Sequence, residues 1–261
     1  MITGILDVVF RWLHVIAGIV WIGHLYFFNF VNIRFAALMK EAGVAKNTVP
    51  ALMPRALFWF RWGAAWTWIT GVLLLLLVFY HGGLLFEGGE GSLLSPGALL
   101  SVALTFGGVL IYDALYKSPL ADNAKAANAV AFVLTAVAIA VMNYAGGFSY
   151  RGYVIHTGAM FGTIMAFNVW FRIWPAQKRI ISATAAGEAP DPADPALAGL
   201  RSRHNTYLSV PLVWTMIDLH HSLTEYATWG MVGLLVMIAL GWHLVWQFYR
   251  ISTDDERTTQ Y

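Results

Sequence analysis

The sequence has no cysteine among its 261 residues. That excludes disulfides, cysteine-ligated iron–sulfur clusters, zinc–thiolate sites and the CxxCH attachment of c-type haem. Any haem would have to be held non-covalently, through ligands such as histidine or methionine. Charge is scarce too: 11% of residues are Asp, Glu, Lys or Arg, where soluble domains carry about a quarter. The net charge is +2, and the basic residues lie in inter-helix loops rather than on one face, so nucleic acid is not expected as a partner. No Walker motif, Gly-rich phosphate fingerprint or HExxH interrupts the chain. No internal repeat supports an inverted-repeat transporter.

What remains is apolar. Hydrophobic residues make up 59% of the chain, and the mean hydropathy is +0.63, so the bilayer is the solvent to assume. A membrane-spanning helix needs about 20 apolar residues. Seven segments qualify, near 5–31, 59–80, 97–116, 126–145, 152–174, 205–222 and 226–249. The expectation is an all-α, polytopic helical bundle over residues 1–250 with a short tail at 251–261. Arg34, Lys40, Lys46, Arg55, Arg61, Lys117, Lys125, Arg172, Lys178, Arg179, Arg201, Arg203, Arg250 and Arg257 fall on one side of this map, and only Arg11 and Arg151 on the other. The positive-inside rule therefore places the N-terminus outside and the C-terminus in the cytoplasm. Residues 175–204, with Pro190, Pro192 and Pro195, read as an extended cytoplasmic linker. The Gly-rich loop 81–96 reads as flexible, with Leu84, Leu85 and Phe86 able to dip into the membrane interface. Gly158-x-x-x-Gly162 and the alanines Ala127, Ala131 and Ala138 signal close helix packing. Trp12, Trp59, Trp62, Trp66, Trp229 and Trp246 read as an aromatic belt.

The eight histidines carry the chemistry. On this map His14, His156, His81, His220 and His221 form an outer tier. His24, His243 and His204 form an inner one, with His24 about 15 Å below His14 at helical rise. An ionisable side chain inside hydrocarbon is a functional candidate by default, and neutral imidazoles at two depths suit haem b. His14, His24, His156 and His243 are the expected iron ligands, with His220 and His204 as second choices. One haem b is expected, or two. Helix-end histidines such as His81, His204 and His221 are better explained by solvation than by ligation. Asp218 and Glu225, beside His220 and His221, mark a candidate proton exit or cation site.

Arg11-Trp12-Leu13-His14-Val15-Ile16-Ala17-Gly18, with Tyr26-Phe27-Phe28-Asn29-Phe30, resembles the opening helix of the bacterial membrane-bound urate oxidase (urate hydroxylase) family. The resemblance continues in Leu57-Phe58-Trp59-Phe60-Arg61-Trp62-Gly63 and in Gly162-Thr163-Ile164-Met165-Ala166-Phe167-Asn168-Val169-Trp170. Arg201-Ser202-Arg203-His204-Asn205-Thr206-Tyr207 extends it further. It implies a membrane oxidoreductase whose electrons leave to a c-type cytochrome. Urate-active members carry a cytochrome c domain after the last helix; this chain, lacking CxxCH, is expected to be the membrane domain without it. The resulting expectation is a haem b redox protein of the bacterial inner membrane, passing electrons to a separate c-type cytochrome. The alternatives are urate hydroxylation proper, or a cofactor-free accessory or assembly subunit of a larger respiratory or photosynthetic complex. Arg61, Arg201 and Arg203 are the candidate forks for a planar anion such as urate, though the positive-inside rule accounts for them more simply.

Overall fold

The computed structural model describes residues 2–218 and 224–259. Among them every named element is helical, and the only β pairing is an isolated bridge between Phe86 and Phe148. Seven long helices follow in order: α1 Ile2–Glu41, α2 Ala45–His81, α3 Pro96–Leu115, α4 Ala124–Ala145, α5 Tyr150–Ala186, α6 Ala193–Ile217 and α7 Thr224–Ser252. A short α8 closes the description at Asp255–Thr258. Six of these are long and apolar enough to cross a membrane: α1 to α5, and α7 from Trp229 onward. The expected span 205–222 begins within α6 and runs beyond the described residues.

Three helices are longer than the sequence pattern suggests. α1, α2 and α5 have 40, 37 and 37 residues, about 55–60 Å at helical rise, where hydrocarbon occupies about 30 Å. The segment between the first two expected spans is therefore helix, turn and helix rather than loop. Ala36-Ala37-Leu38-Met39-Lys40-Glu41 are strong helix formers. The chain then turns at Gly43, whose φ of +71° suits a residue without Cβ. Wide π-helical turns interrupt α1 at Phe27–Asn32 and α5 at Val169–Ile173, and close α2 at Leu75–His81 and α4 at Val141–Ala145.

The stretch 175–204 also departs from the extended linker expected of it. It continues α5 to Ala186 and starts α6 at Ala193, leaving only 187–192 outside helix. The prolines do not prevent this, because Pro192 precedes α6 and Pro195 lies in its first turn, where no amide donor is needed. Asp191 Oδ1 accepts from the Ala193 amide at 2.9 Å. Arg179 on α5 clasps Asp194 on α6 through Nε at 3.0 and 2.9 Å to the two carboxylate oxygens. That fork holds the Asp194 carboxyl below its usual pKa.

The chain divides into two compact units. One takes in Met1–Phe10, Gly71–Ile164 and Pro211–Leu240; the other takes in Arg11–Thr70, Met165–Val210 and Gly241–Tyr261. In the first, small residues set the helix spacing. A Cβ at Gly158 would run into Thr215 Oγ1, and one at Gly162 would touch Leu212, so the GxxxG stripe is where α6 lies against α5. Ala127 and Ala138 are buried. Loop 81–96 is tied down rather than loose: Leu85 is buried, and its carbonyl accepts from the Ser149 amide at 2.8 Å. In the second unit, residues 14, 18, 21, 25 and 28 of α1 form a stripe at helical spacing. Gly18 meets Thr67, Trp21 meets Gly63, and Phe28 packs edge-on against Phe60 at 5.3 Å. Met165, Val169 and Ile173 of α5 complete that core. Apolar faces gain nothing from leaving lipid, so such contacts hold by packing rather than by the hydrophobic effect. All six tryptophans of the expected belt are exposed.

Candidate functional site

The structure sorts the expected iron ligands by what each imidazole already does. His156, at 0% exposure, is spent on both sides. Its Nδ1 lies 2.7 Å from the Gly152 carbonyl, which can only accept, and its Nε2 lies 2.8 Å from the Tyr80 hydroxyl. Nδ1 therefore carries the proton and Nε2 takes the tyrosine's. Phe148 packs on the ring at 4.8 Å. No lone pair is left for iron in this arrangement.

His24 is different. Its Nδ1 donates to the Val20 carbonyl at 2.7 Å, which leaves Nε2 with its lone pair and no donor among the described residues. Phe28 lies 6.4 Å away, ring to ring. His14 reaches the same state by one more step. Thr70 Oγ1 has a single hydrogen and gives it to the Trp66 carbonyl at 2.6 Å. At 3.1 Å it must therefore accept from His14 Nδ1, so His14 Nε2 is also the unprotonated nitrogen. Ligating histidines ordinarily have their other nitrogen tied to a carbonyl or similar acceptor, which fixes tautomer and ring orientation. His14 and His24 meet that condition.

The remaining histidines are placed differently. His243 faces outward from α7, with Nε2 3.2 Å from Gln247 Nε2 and its ring against Trp246 at 5.4 Å. His81 is exposed at the end of α2. His204 is half-buried on α6, between Arg203 and Asn205 in sequence. His220 and His221 lie outside the described residues, as does the side chain of Glu225. Asp218, the described member of that cluster, is buried and accepts from the Tyr150 hydroxyl at 2.7 Å. Among the described residues no three His, Asp or Glu side chains come together as a metal cage.

The second unit also holds a polar interior that sequence reasoning left unassigned. Ser202, Thr206 and Ser209 share one face of α6 at spacings of four and three. Asn29, on the wide turn of α1, donates to Ser202 Oγ and to the Leu25 carbonyl, both at 2.8 Å, and accepts from the Tyr249 hydroxyl of α7 at 2.8 Å. Tyr26 and Ser209 are joined at 3.0 Å. A neighbouring face carries Asn205, which accepts from Asn168 of α5 at 2.8 Å and donates to the Met165 carbonyl at 3.0 Å. Arg201, one helical turn before Asn205, is 1% exposed. That corrects its reading as a solvated positive-inside residue: a buried guanidinium is held by the protein rather than by water or headgroups. Arg203 stays at the surface, over the Tyr249 ring at 5.2 Å. Alternating serine, threonine and asparagine at helical spacing was visible in the sequence and is the signal that marks this network.

A family model described as urate oxidase N-terminal matches residues 44–261. No curated protein and no solved structure matches the chain.

Proposed function

The chain belongs to the urate oxidase N-terminal family, and on that premise we propose that it is an integral membrane haem b redox protein passing electrons to a separate c-type cytochrome. The observation that carries this reading is the state of His14 and His24. Each is half-buried on an apolar helix, with Nδ1 anchored within the second unit by Thr70 and Val20, and each keeps Nε2 free of a protein donor among the described residues. These two residues fit as axial ligands. They are ten positions apart on one helix, about 15 Å, so each would serve a different iron. His156 fits only if Tyr80 moves aside. His243 fits only a group on the outward face of α7. Bound haem would supply reversible one-electron chemistry at a potential set by ligand type and dry packing. The protein's part is to fix the imidazole tautomer, exclude water with Trp21, Leu25 and Phe28, and hold the ring planes through Thr70 and Val20.

A reduced-minus-oxidised visible spectrum with pyridine haemochrome quantification, on protein purified in mild detergent, tests this. One or two haem b per chain is the expected result. A colourless, folded protein would overturn it and leave the accessory-subunit reading in front. Urate hydroxylation is a second reading, favoured by the buried Arg201, whose planar guanidinium suits a planar anion. Urate-dependent reduction of added cytochrome c by the purified chain would support that reading.

A further inference from the structure

Arg61 on α2 and Lys178 on α5 bring two cations to one indole. The Arg61 guanidinium carbon stands 4.1 Å from the Trp174 ring centre and the Lys178 ammonium 5.6 Å. Phe58 and Trp170 close on the same guanidinium at 5.8 Å each. Trp170 Nε1 donates to the Arg61 carbonyl at 3.1 Å, which locks the two helices together at this point. Ring faces stabilise a cation but do not accept the in-plane N–H donors of a guanidinium. Arg61 Nε is buried and lacks a hydrogen-bond acceptor, and no carboxylate pairs with Arg61 or Lys178 among the described residues. Two like charges on one ring repel unless an anion lies between them. Phe58, Trp59 and Trp62 are exposed on α2 around Arg61, Lys178 is exposed on α5, and both helices are long and apolar enough to span a membrane.

We infer that Arg61, Lys178 and Trp174 form a binding site for the phosphate of an anionic phospholipid, whose acyl chains run along Phe58 and Trp62. The two terminal Nη groups of Arg61 take two phosphate oxygens, and Lys178 adds a point charge.

The test is native mass spectrometry of the full chain with phosphatidylglycerol or phosphatidylcholine added. Each cation near a lipid surface gives about a fivefold preference. The wild type should therefore retain phosphatidylglycerol some 20-fold more, K178Q about fivefold less than wild type, and R61Q/K178Q without preference. Lys178 is an exposed side chain, so K178Q keeps the test decisive even if removing Arg61 disturbs packing. Equal retention of the two lipids, or a K178Q preference equal to wild type, overturns the assignment. Displacement of phosphatidylglycerol by millimolar inorganic phosphate or urate would instead identify a free-anion site and likewise overturn it.

Discussion

His156 in one unit and His24 in the other are both histidines on apolar helices, yet their ring nitrogens are engaged differently. Around His156, Gly152 and Tyr80 take both ring nitrogens, Phe148 covers the ring, and the side chain is part of the packing. Around His24, only Nδ1 is engaged, and the engagement is with a carbonyl of its own helix. A buried polar atom left without a partner is strongly unfavourable in hydrocarbon. A histidine that satisfies both nitrogens is therefore a structural residue. His24, half-buried and with no protein donor to Nε2 among the described residues, keeps a nitrogen with the lone pair a ligand position needs.

The sharpest way to break this comparison is to remove each ring in turn. H14A or H24A should each abolish the haem b bands contributed by that site, read in reduced-minus-oxidised spectra, while H156A should leave them in place. Loss of the bands in H156A with retention in H24A would reverse the assignment. H156A should instead lower stability by about 3 kcal/mol, since it opens a cavity and strands the Tyr80 hydroxyl; thermal unfolding in detergent reads it. Y80F, which removes one partner but little volume, should be milder, about 1 kcal/mol.

Packing sharpens the contrast between the units. G158A drives a methyl into Thr215 and should cost about 2 kcal/mol in the unit built on small residues. N205L in the polar unit frees Asn168 and should cost about 1 kcal/mol, with a larger loss indicating wider coupling across α1, α6 and α7. The smallest effect concerns pH. Arg179 lowers the Asp194 pKa on folding, so that pair stabilises the protein above the ordinary aspartate pKa, near 3.9. The contribution fades as pH falls through the depressed folded value. D194N should flatten that acid limb of a thermal unfolding profile and leave the neutral range nearly unchanged.

Much of this fold was legible from hydrophobic runs, because a span requires a long apolar stretch whatever it packs against. The boundaries were not. Glu41, Ala186 and Ala193 terminate helices within stretches that polar and proline-rich composition suggested were loops, since helix propensity, caps and the Arg179–Asp194 fork act there instead of hydropathy. The histidine candidates were legible as residues, but not their states. Nothing about His14 or His156 in sequence separates a free nitrogen from a used one, and Tyr80 and Thr70 gave no signal of their own. Arg201 read as a solvated cation because it falls on the expected cytoplasmic side, where the positive-inside rule accounts for it.

The residues by themselves determined a cysteine-free, all-helical membrane chain and a family, and they exclude any cofactor attached through cysteine. Those follow from composition and local periodicity, which the bilayer reads directly. Only the tertiary structure decided which imidazoles keep a lone pair, which arginine is buried and which pair of cations shares an indole. His24 is anchored locally, by Val20, but the other contacts join residues 37 to 117 positions apart, such as Thr70 with His14, Tyr80 with His156, Asn168 with Asn205, and Trp174 and Lys178 with Arg61. Hydrogen bonds and cation–ring contacts act over a few ångströms in space, and sequence distance carries no information about them until the helices have packed.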